Sequence, residues 1–190
     1  MGLIGMIVGG IYDANKAIKQ NKAKKDDSTE KITVEGRYSI EVPSFLSPTK
    51  LLSEDAAIQY RNNTLDISFM VIDEPKADFV KEIEEFDKDM HVFGNEETLL
   101  DKMVVVSLNN MFDMDKVEIL EYTSTKINGM NAVTFNSFKK RTFFEDAQYG
   151  SFAFIEGRNT LYQIIILSGG TSISKLAGKL EKSINSFCEL

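Results

Sequence analysis

The side chains that can support acid–base or metal chemistry are few, because the chain has a single histidine, His91. Asp87 stands one helical turn before it and Glu84 a further turn back, so a helix would place all three on one side, where they could ligate a metal ion. Charged residues at this spacing are more typical of a solvated helix surface. We therefore expect no metal site, and an enzyme with an acidic-helix site around Asp87 and His91 stands as an alternative.

The cysteine Cys188 is a second candidate, as a nucleophile. No second histidine or local basic cluster stands near it in the sequence to activate the thiol, so we interpret it as a packing residue. A serine hydrolase would again depend on His91, and the sequence lacks the Gly-x-Ser-x-Gly turn of that class. We expect no enzymatic activity and no cofactor. A lone cysteine cannot form an intramolecular disulfide, which favours a reducing compartment, the cytoplasm.

Two short segments have features that can bind an anion. Residues 168–172 (SGGTS) connect a predicted strand to a predicted helix, where free backbone amides can hold a phosphate, but the lysine of a phosphate-binding loop is absent. Residues 139–141 (KKR) lie at a predicted strand end, where cations also protect a sheet edge from aggregation. We interpret the first segment as an ordinary turn and the second as edge protection.

Residues 1–20 are predicted to form an apolar helix. The run MGLIGMIVGGIY has about 12 residues, whereas a helix needs about 20 to span a bilayer. Lysines follow the run instead of preceding it, so an ordinary signal peptide is not expected. On a helix the large apolar residues form one stripe, and the glycines form a groove that suits a second helix. The predicted partner-binding residues are Ile4, Gly5, Ile7, Val8, Gly9 and Ile11.

Three interpretations of this helix stay open: it packs on this domain or a partner subunit, it lies on a membrane surface, or it has no function. Residues 1–25 carry five lysines and one aspartate, a net charge of +4, which leaves −11 for the rest. Because an acidic body repels phosphate backbones, we expect no nucleic-acid binding. Residues 21–33 are charged and lack large apolar side chains, which predicts a linker between the helix and a domain at 34–190.

The domain is predicted to be a run of strands interrupted by helices. Alternation predicts strands at 34–42, 56–61, 65–73, 117–126, 130–140, 148–156 and 161–168. Helical periodicity follows Pro75, and a last helix begins at Thr171 or Ser172. Because 161–168 (LYQIIILS) is apolar on both faces, this strand should lie in mid-sheet. The predicted fold is α+β, an α/β/α sandwich whose mainly antiparallel twisted sheet of six to seven strands carries the mid-chain and C-terminal helices on its faces.

The predicted core consists of apolar residues on the inward faces of these strands and helices. Its members are Ile40, Ile67, Phe69, Ile83, Val104, Val133, Ile164, Ile166, Leu180 and Ile184. The aromatic residues of 130–140 and 148–156 alternate along their strands, so they cannot all point to one layer. Either helices bury both layers or one layer is an apolar surface for a partner, and we favour burial.

Several segments in a fixed order support a family resemblance. They are YSIEVPSFL, AAIQYRN, LDISFMVIDEP, the mid-chain helix, the hairpin about Asn128 and Gly129, and the closing LYQIIILSGG and LAGKLEKSINSF. Residues 34–190 thereby resemble the PsbP-like superfamily, which includes DcrB-like bacterial proteins and a Ran-binding nuclear import factor. The resemblance implies a non-enzymatic protein, since its members are a photosystem subunit, envelope proteins and chaperones that cradle hydrophobic helices. It implies no set of catalytic residues.

The sequence as a whole predicts a non-enzymatic interaction protein, such as an adaptor, chaperone or assembly subunit. It would bind another protein, or a second copy of itself, through a sheet face or the N-terminal helix. In the first alternative, residues 1–25 hold the protein at a membrane surface, so that it is cytoplasmic and peripheral to the membrane. The second alternative is the acidic-helix enzyme.

Overall fold

A seven-stranded sheet forms the centre of the protein, and a three-stranded sheet packs over one of its faces. The computed structural model describes residues 27–90, 98–111, 117–139, 147–169 and 172–190, without the side chains of 86–90 and 172–175. The strands are β1 (Thr29–Val34), β2 (Tyr38–Pro43), β3 (Ser47–Pro48), β4 (Ala56–Asn62), β5 (Ile67–Pro75), β6 (Val117–Ile127), β7 (Met130–Lys139), β8 (Gln148–Glu156), β9 (Thr160–Gly169) and β10 (Cys188–Glu189). The helices are α1 (Lys76–Met90), α2 (Leu99–Met111) and α3 (Ser172–Asn185).

The strand order confirms the predicted fold class. The large sheet runs β3-β4-β5-β9-β8-β7-β6, and each of these pairings is antiparallel. Strand β9, predicted to lie in mid-sheet, is the fourth of the seven. The small sheet runs β1-β2-β10 and is also antiparallel, and the sequence did not predict it. In the described part of the chain, no helix is long and apolar enough to cross a membrane.

The strand predicted at 34–42 is present only from Tyr38 on, as β2, because the chain turns at the beginning of the predicted strand. Glu35 and Gly36 have φ angles of 47° and 71°, and the turn pairs β1 with β2 as a hairpin. Strand β1 lies mostly inside the segment 21–33 predicted as a linker. Ile32 and Val34 pack against the core, while the residues between and before them are exposed. The charged outer face of this edge strand gave the segment its linker-like composition.

Both faces of the large sheet are packed, and each has its own core. On one face, β2 and α3 cover β4, β5, β8 and β9, with Tyr38, Phe69 and Leu180 in the cluster. On the opposite face, α1 and α2 cover β7, β8 and β9, with Phe79, Met103 and Phe154 in the cluster. All ten predicted core residues are buried. The face assignments made from alternation are therefore confirmed.

The aromatic residues of β7 and β8 divide between the two faces. Phe135, Phe152 and Phe154 stack beneath α1 and α2, with the Phe135 ring centroid 4.8 Å from Phe152 and 5.7 Å from Phe154. Phe138 and Tyr149 form a half-buried pair on the other face, 4.7 Å apart. The favoured interpretation, internal burial, holds for the first three rings.

Glu74 is a half-buried carboxyl in β5, two residues before α1 begins. Burial raises its pKa from 4.5 to about 7, and the nearby carboxylates of Glu82, Asp78 and Asp55 act in the same direction. The folded state therefore holds a proton on Glu74 more tightly than the unfolded chain does. Between these two pKa values, the free energy of unfolding falls as the pH rises.

Replacing Glu74 by Gln should remove this pH dependence. At about pH 8 we expect the unfolding free energy of Glu74→Gln to exceed that of the wild type by about 1–2 kcal/mol. At about pH 4 the two should match, because Glu74 of the wild type is then mostly protonated in both the folded and the unfolded state. Urea unfolding at both pH values measures the difference. Glu54→Gln, at an exposed loop carboxylate, is the control. An equal effect of Glu74→Gln at both pH values would contradict the assignment.

The attachment of α3 to the sheet can be tested with two leucines of opposite exposure. Leu180 of α3 is 1% exposed and Leu51 is 85% exposed. We expect Leu180→Ala to lower the free energy of unfolding by about 2–5 kcal/mol, because it leaves a cavity between α3 and the sheet. Leu51→Ala should change it by less than about 0.5 kcal/mol. Similar losses in both variants would show that the packing of α3 does not contribute as described.

Candidate functional site

A groove of about 610 Å³ separates α3 from the outer strands β6, β7 and β8, and we call it the α3 groove. Alternation sets its floor, because Thr134, Asn136 and Ser151 point toward α3 while Phe135 and Phe152 pack on the opposite face. The residues that line it are Glu121, Thr123, Thr125, Thr134, Phe135, Asn136, Ser151, Phe152, Ala177, Glu181, Ile184 and Asn185. The floor is thus built of hydroxyl and amide groups.

The groove is open because α3 covers only part of its sheet face. Leu176, Leu180 and Ile184 hold the helix in the core, and its main contacts are with β2 and β9. Ile127 of β6 and Ala132 of β7 still belong to this core, but Thr123, Thr134 and Asn136, farther along the two strands, lie beyond it. Thr123 and Thr125 are exposed, although they share a face with buried residues of β5 and β9. No other element of the described ranges packs over this part of the face.

A chain of hydrogen bonds crosses the floor from β8 to β6. The Ser151 hydroxyl donates to Asn136 Oδ1 at 2.6 Å, and Asn136 Nδ2 donates to Glu121 Oε2 at 2.7 Å. The side chains belong to three neighbouring strands, so the chain fixes their relative positions at the groove. Its end is the Glu121 carboxylate, which is held at the groove rim.

Glu121 lies in a β-bulge. Leu120 pairs with Asn136 and Thr123 pairs with Thr134, so Glu121 and Tyr122 together oppose one residue of β7. The φ angle of Glu121 is 55°, a left-handed conformation that is uncommon for a glutamate. The extra residue shifts the alternation of side chains along β6 by one position. This shift places Thr123 on the groove face, opposite Thr134.

Tyr122 connects the bulge to the helices on the opposite face. Its ring stacks on Phe135, with centroids 6.1 Å apart, and its hydroxyl donates to Asp101 Oδ1 at 2.8 Å. Hydrogen bonds from the Thr98 side chain and from Tyr122 lower the pKa of Asp101, against the opposing effect of burial. The bulge is therefore fixed from both faces of the sheet.

The charged residues that line the α3 groove are acidic. Glu121 on β6 and Glu181 on α3 are both exposed, and the lining contains no lysine or arginine from the described residues. The described lining also contains no histidine or cysteine that could act as a base or nucleophile. Hydroxyl, amide and carboxylate groups in an open groove can accept and donate hydrogen bonds and attract a cation. Such an arrangement suits binding.

The structure describes only part of the residues singled out by sequence. His91 lies outside the described residues, as does the side chain of Asp87, while Glu84 is exposed on α1. The predicted partner-binding residues of the N-terminal helix also lie outside them. Cys188 is half-buried in β10, and its thiol donates to the Glu189 carbonyl at 3.4 Å.

The Asp66 carboxylate lies beside the described residues of both predicted anion-binding segments, Gly169 and Lys139. The Gly169 amide donates to the Asp66 carbonyl at 3.1 Å, and a Cβ at Gly169 would collide with the Asp66 carboxylate. A negative charge at this point disfavours an anion. Lys139 and Arg61 line a cleft of about 270 Å³ beside the same aspartate. Residues 140–141 and 170–171 lie outside the described part of the chain.

Comparison with known proteins identifies the fold. The Ran-binding protein Mog1p of Saccharomyces cerevisiae is similar over 85% of this chain and 95% of its own, with 15% identity and a TM-score of 0.53. Cyanobacterial PsbP from Synechocystis sp. PCC 6803 is similar over 86% of this chain and 94% of its own, with 12% identity and a TM-score of 0.53. The chain has the PsbP/Mog1-like fold. No protein-family model matches the sequence, and neither does any curated protein.

The PsbP/Mog1-like fold was predicted from sequence, but the α3 groove was not. The sequence does indicate the polar floor of the groove, because the polar residues Thr134 and Asn136 alternate with the apolar residues Val133 and Phe135. This pattern shows that one face of β7 is polar. It does not show that α3 stops short of that face, which depends on how the helix packs.

The hydrogen-bond chain of the groove predicts the behaviour of an Asn136 variant. Asn136→Ala removes the acceptor of the Ser151 hydroxyl and the donor to Glu121, which should lower local stability by about 1–2 kcal/mol. We therefore expect amide exchange at Glu121 and Tyr122 to become about five- to thirtyfold faster. Hydrogen-exchange NMR measures the rates, and Thr125→Ala, which leaves both bonds in place, is the control. Unchanged exchange at the bulge would refute the role given to Asn136.

Proposed function

We propose that the protein is a non-enzymatic interaction protein, an adaptor, chaperone or assembly subunit, that binds another protein through the α3 groove. The observation that supports this most directly is the polar half-face of β6–β8, which the described elements leave open. Elsewhere α1, α2, α3 and the small sheet cover the large sheet. The open part differs from the two apolar cores, because its floor consists of hydroxyl and amide groups.

The chemistry of the groove is that of a protein interface. Its floor offers short hydroxyl and amide side chains, which lose little rotamer entropy when they are ordered by a partner. Beside it, β6 exposes a large apolar side chain, Leu120 at 37%, which shares the face of its partner Asn136. Polar groups that can pair, next to an apolar contact, are typical of protein–protein interfaces.

The comparisons support a protein partner. Mog1p, which has the same fold, is a Ran-binding protein, so this fold serves in that protein to bind another protein. At this level of identity the likeness itself extends only to the fold, and the partner of the present chain is a separate question. The N-terminal residues Ile4–Ile11 are the second candidate contact, by which the protein would bind a partner helix or a second copy of itself.

Site-specific photo-crosslinking in cells tests the proposal. A benzoyl-phenylalanine placed at Thr125, which is exposed in the groove, should crosslink to a discrete partner. The same group at Thr33, which is exposed on β1, should not. Mass spectrometry identifies the crosslinked protein. A third variant carries the crosslinker at Ile7. Crosslinks from Ile7 but not from Thr125 would indicate that the interface is the N-terminal segment. Crosslinks from none of the three positions would contradict protein binding.

A further inference from the structure

Glu121 combines an unfavourable backbone conformation with a specifically held side chain. Its φ of 55° brings the Cβ of an L residue close to the backbone, and glycine or asparagine is the usual choice there. A glutamate in this conformation has to be held by its surroundings. Asn136 holds it through Oε2, and Ser151 holds Asn136 in turn. Three strands thus cooperate to place one carboxylate at the rim of the α3 groove.

The carboxylate retains capacity for a further partner. Asn136 engages Oε2, and no described residue donates to Oε1 or forms an ion pair with Glu121. Glu181 lines the same groove from α3 and forms no ion pair with a described residue. The groove is therefore lined by a carboxylate on its strand side, by another on its helix side, and by several hydroxyl groups. No described lysine or arginine balances these charges within the lining.

We infer that the α3 groove recognises a protein segment through an arginine side chain seated between Glu121 and Glu181. This inference rests on the proposed function and adds the chemistry of the partner. A guanidinium has five N–H donors in a planar fork, which suits a groove that offers carboxylate and hydroxyl acceptors on more than one side. The backbone of the segment then meets the hydroxyl and amide groups of Thr134, Asn136 and Ser151. A lysine carries the same charge, but its ammonium is a compact point charge with fewer donors and no planar fork.

NMR titration of the ¹⁵N-labelled full chain tests the inference. The probes are three acetylated and amidated peptides, STTSRSTTS and its versions with lysine or glutamine in place of arginine. We expect the arginine peptide to shift amides of β6, β7, β8 and α3, and to bind several-fold more tightly than the glutamine peptide. Raising the salt from about 50 mM to about 500 mM should weaken its binding, because exposed charges are screened.

Charge-removing variants separate the site from the general acidity of the protein. Glu121→Gln keeps a side chain that can pair with Asn136, and we expect it to weaken binding of the arginine peptide about threefold. Addition of Glu181→Gln should bring the loss to about tenfold. Glu54→Gln removes the same charge from an exposed loop outside the groove and should have no effect. The amide spectra of the variants show whether each remains folded.

Any of three results would overturn the inference. The first is an equal loss of affinity in Glu54→Gln and Glu121→Gln, which would mean attraction to net charge alone. The second is peptide shifts outside the groove, and the third is equal binding of the arginine and glutamine peptides. If a partner still crosslinks from Thr125 in any of these cases, the proposed function stands and only the arginine-based recognition is wrong. If neither crosslinking nor peptide binding involves the groove, both proposals fail.

Discussion

The need to bury strand β9 on both faces determines the arrangement of the other elements. Ile164 and Ile166 point toward α3, while Ile165 points toward α1 and α2, and all three are buried. Burial of each such side chain contributes about 1.5–3 kcal/mol relative to exposure. A strand that is apolar on both faces requires a cover on each, and the chain supplies the covers from different regions. The mid-chain helices pack on one side, and the C-terminal helix packs with the small sheet on the other.

The two covers differ in extent, and this difference creates the groove. On the side of α1 and α2, the packed layer reaches β7, where Phe135 lies beneath the helices. On the other side α3 contacts β9 and β2, and the same strand β7 presents Thr134 and Asn136. Along β7, Phe135 therefore lies where a helix covers the sheet, and Thr134 and Asn136 lie on the face that the helix leaves open.

The parts of the fold that were predicted from sequence depend on local patterns. Alternation identified the buried faces of β5 and β9, and Asn128 with Gly129 adopts the positive φ angles, 48° and 87°, expected for the turn between β6 and β7. The small sheet was missed because β10 has two residues, too few for a visible period. The bulge was missed because a glutamate such as Glu121 has no preference for positive φ. The groove was missed because it depends on the tertiary placement of α3.

The pairing of β10 with β2 has a consequence for the time at which the domain can fold during synthesis. Cys188 and Glu189 pair with Ser39 and Tyr38, so a strand that precedes the large sheet in the sequence obtains a neighbour that follows it. Glu189 also accepts hydrogen bonds from the Arg158 amide and the Tyr162 hydroxyl. Until these residues emerge, the edge of β2 that β10 covers lacks its partner. The small sheet is therefore completed only after all seven strands of the large sheet have been synthesised.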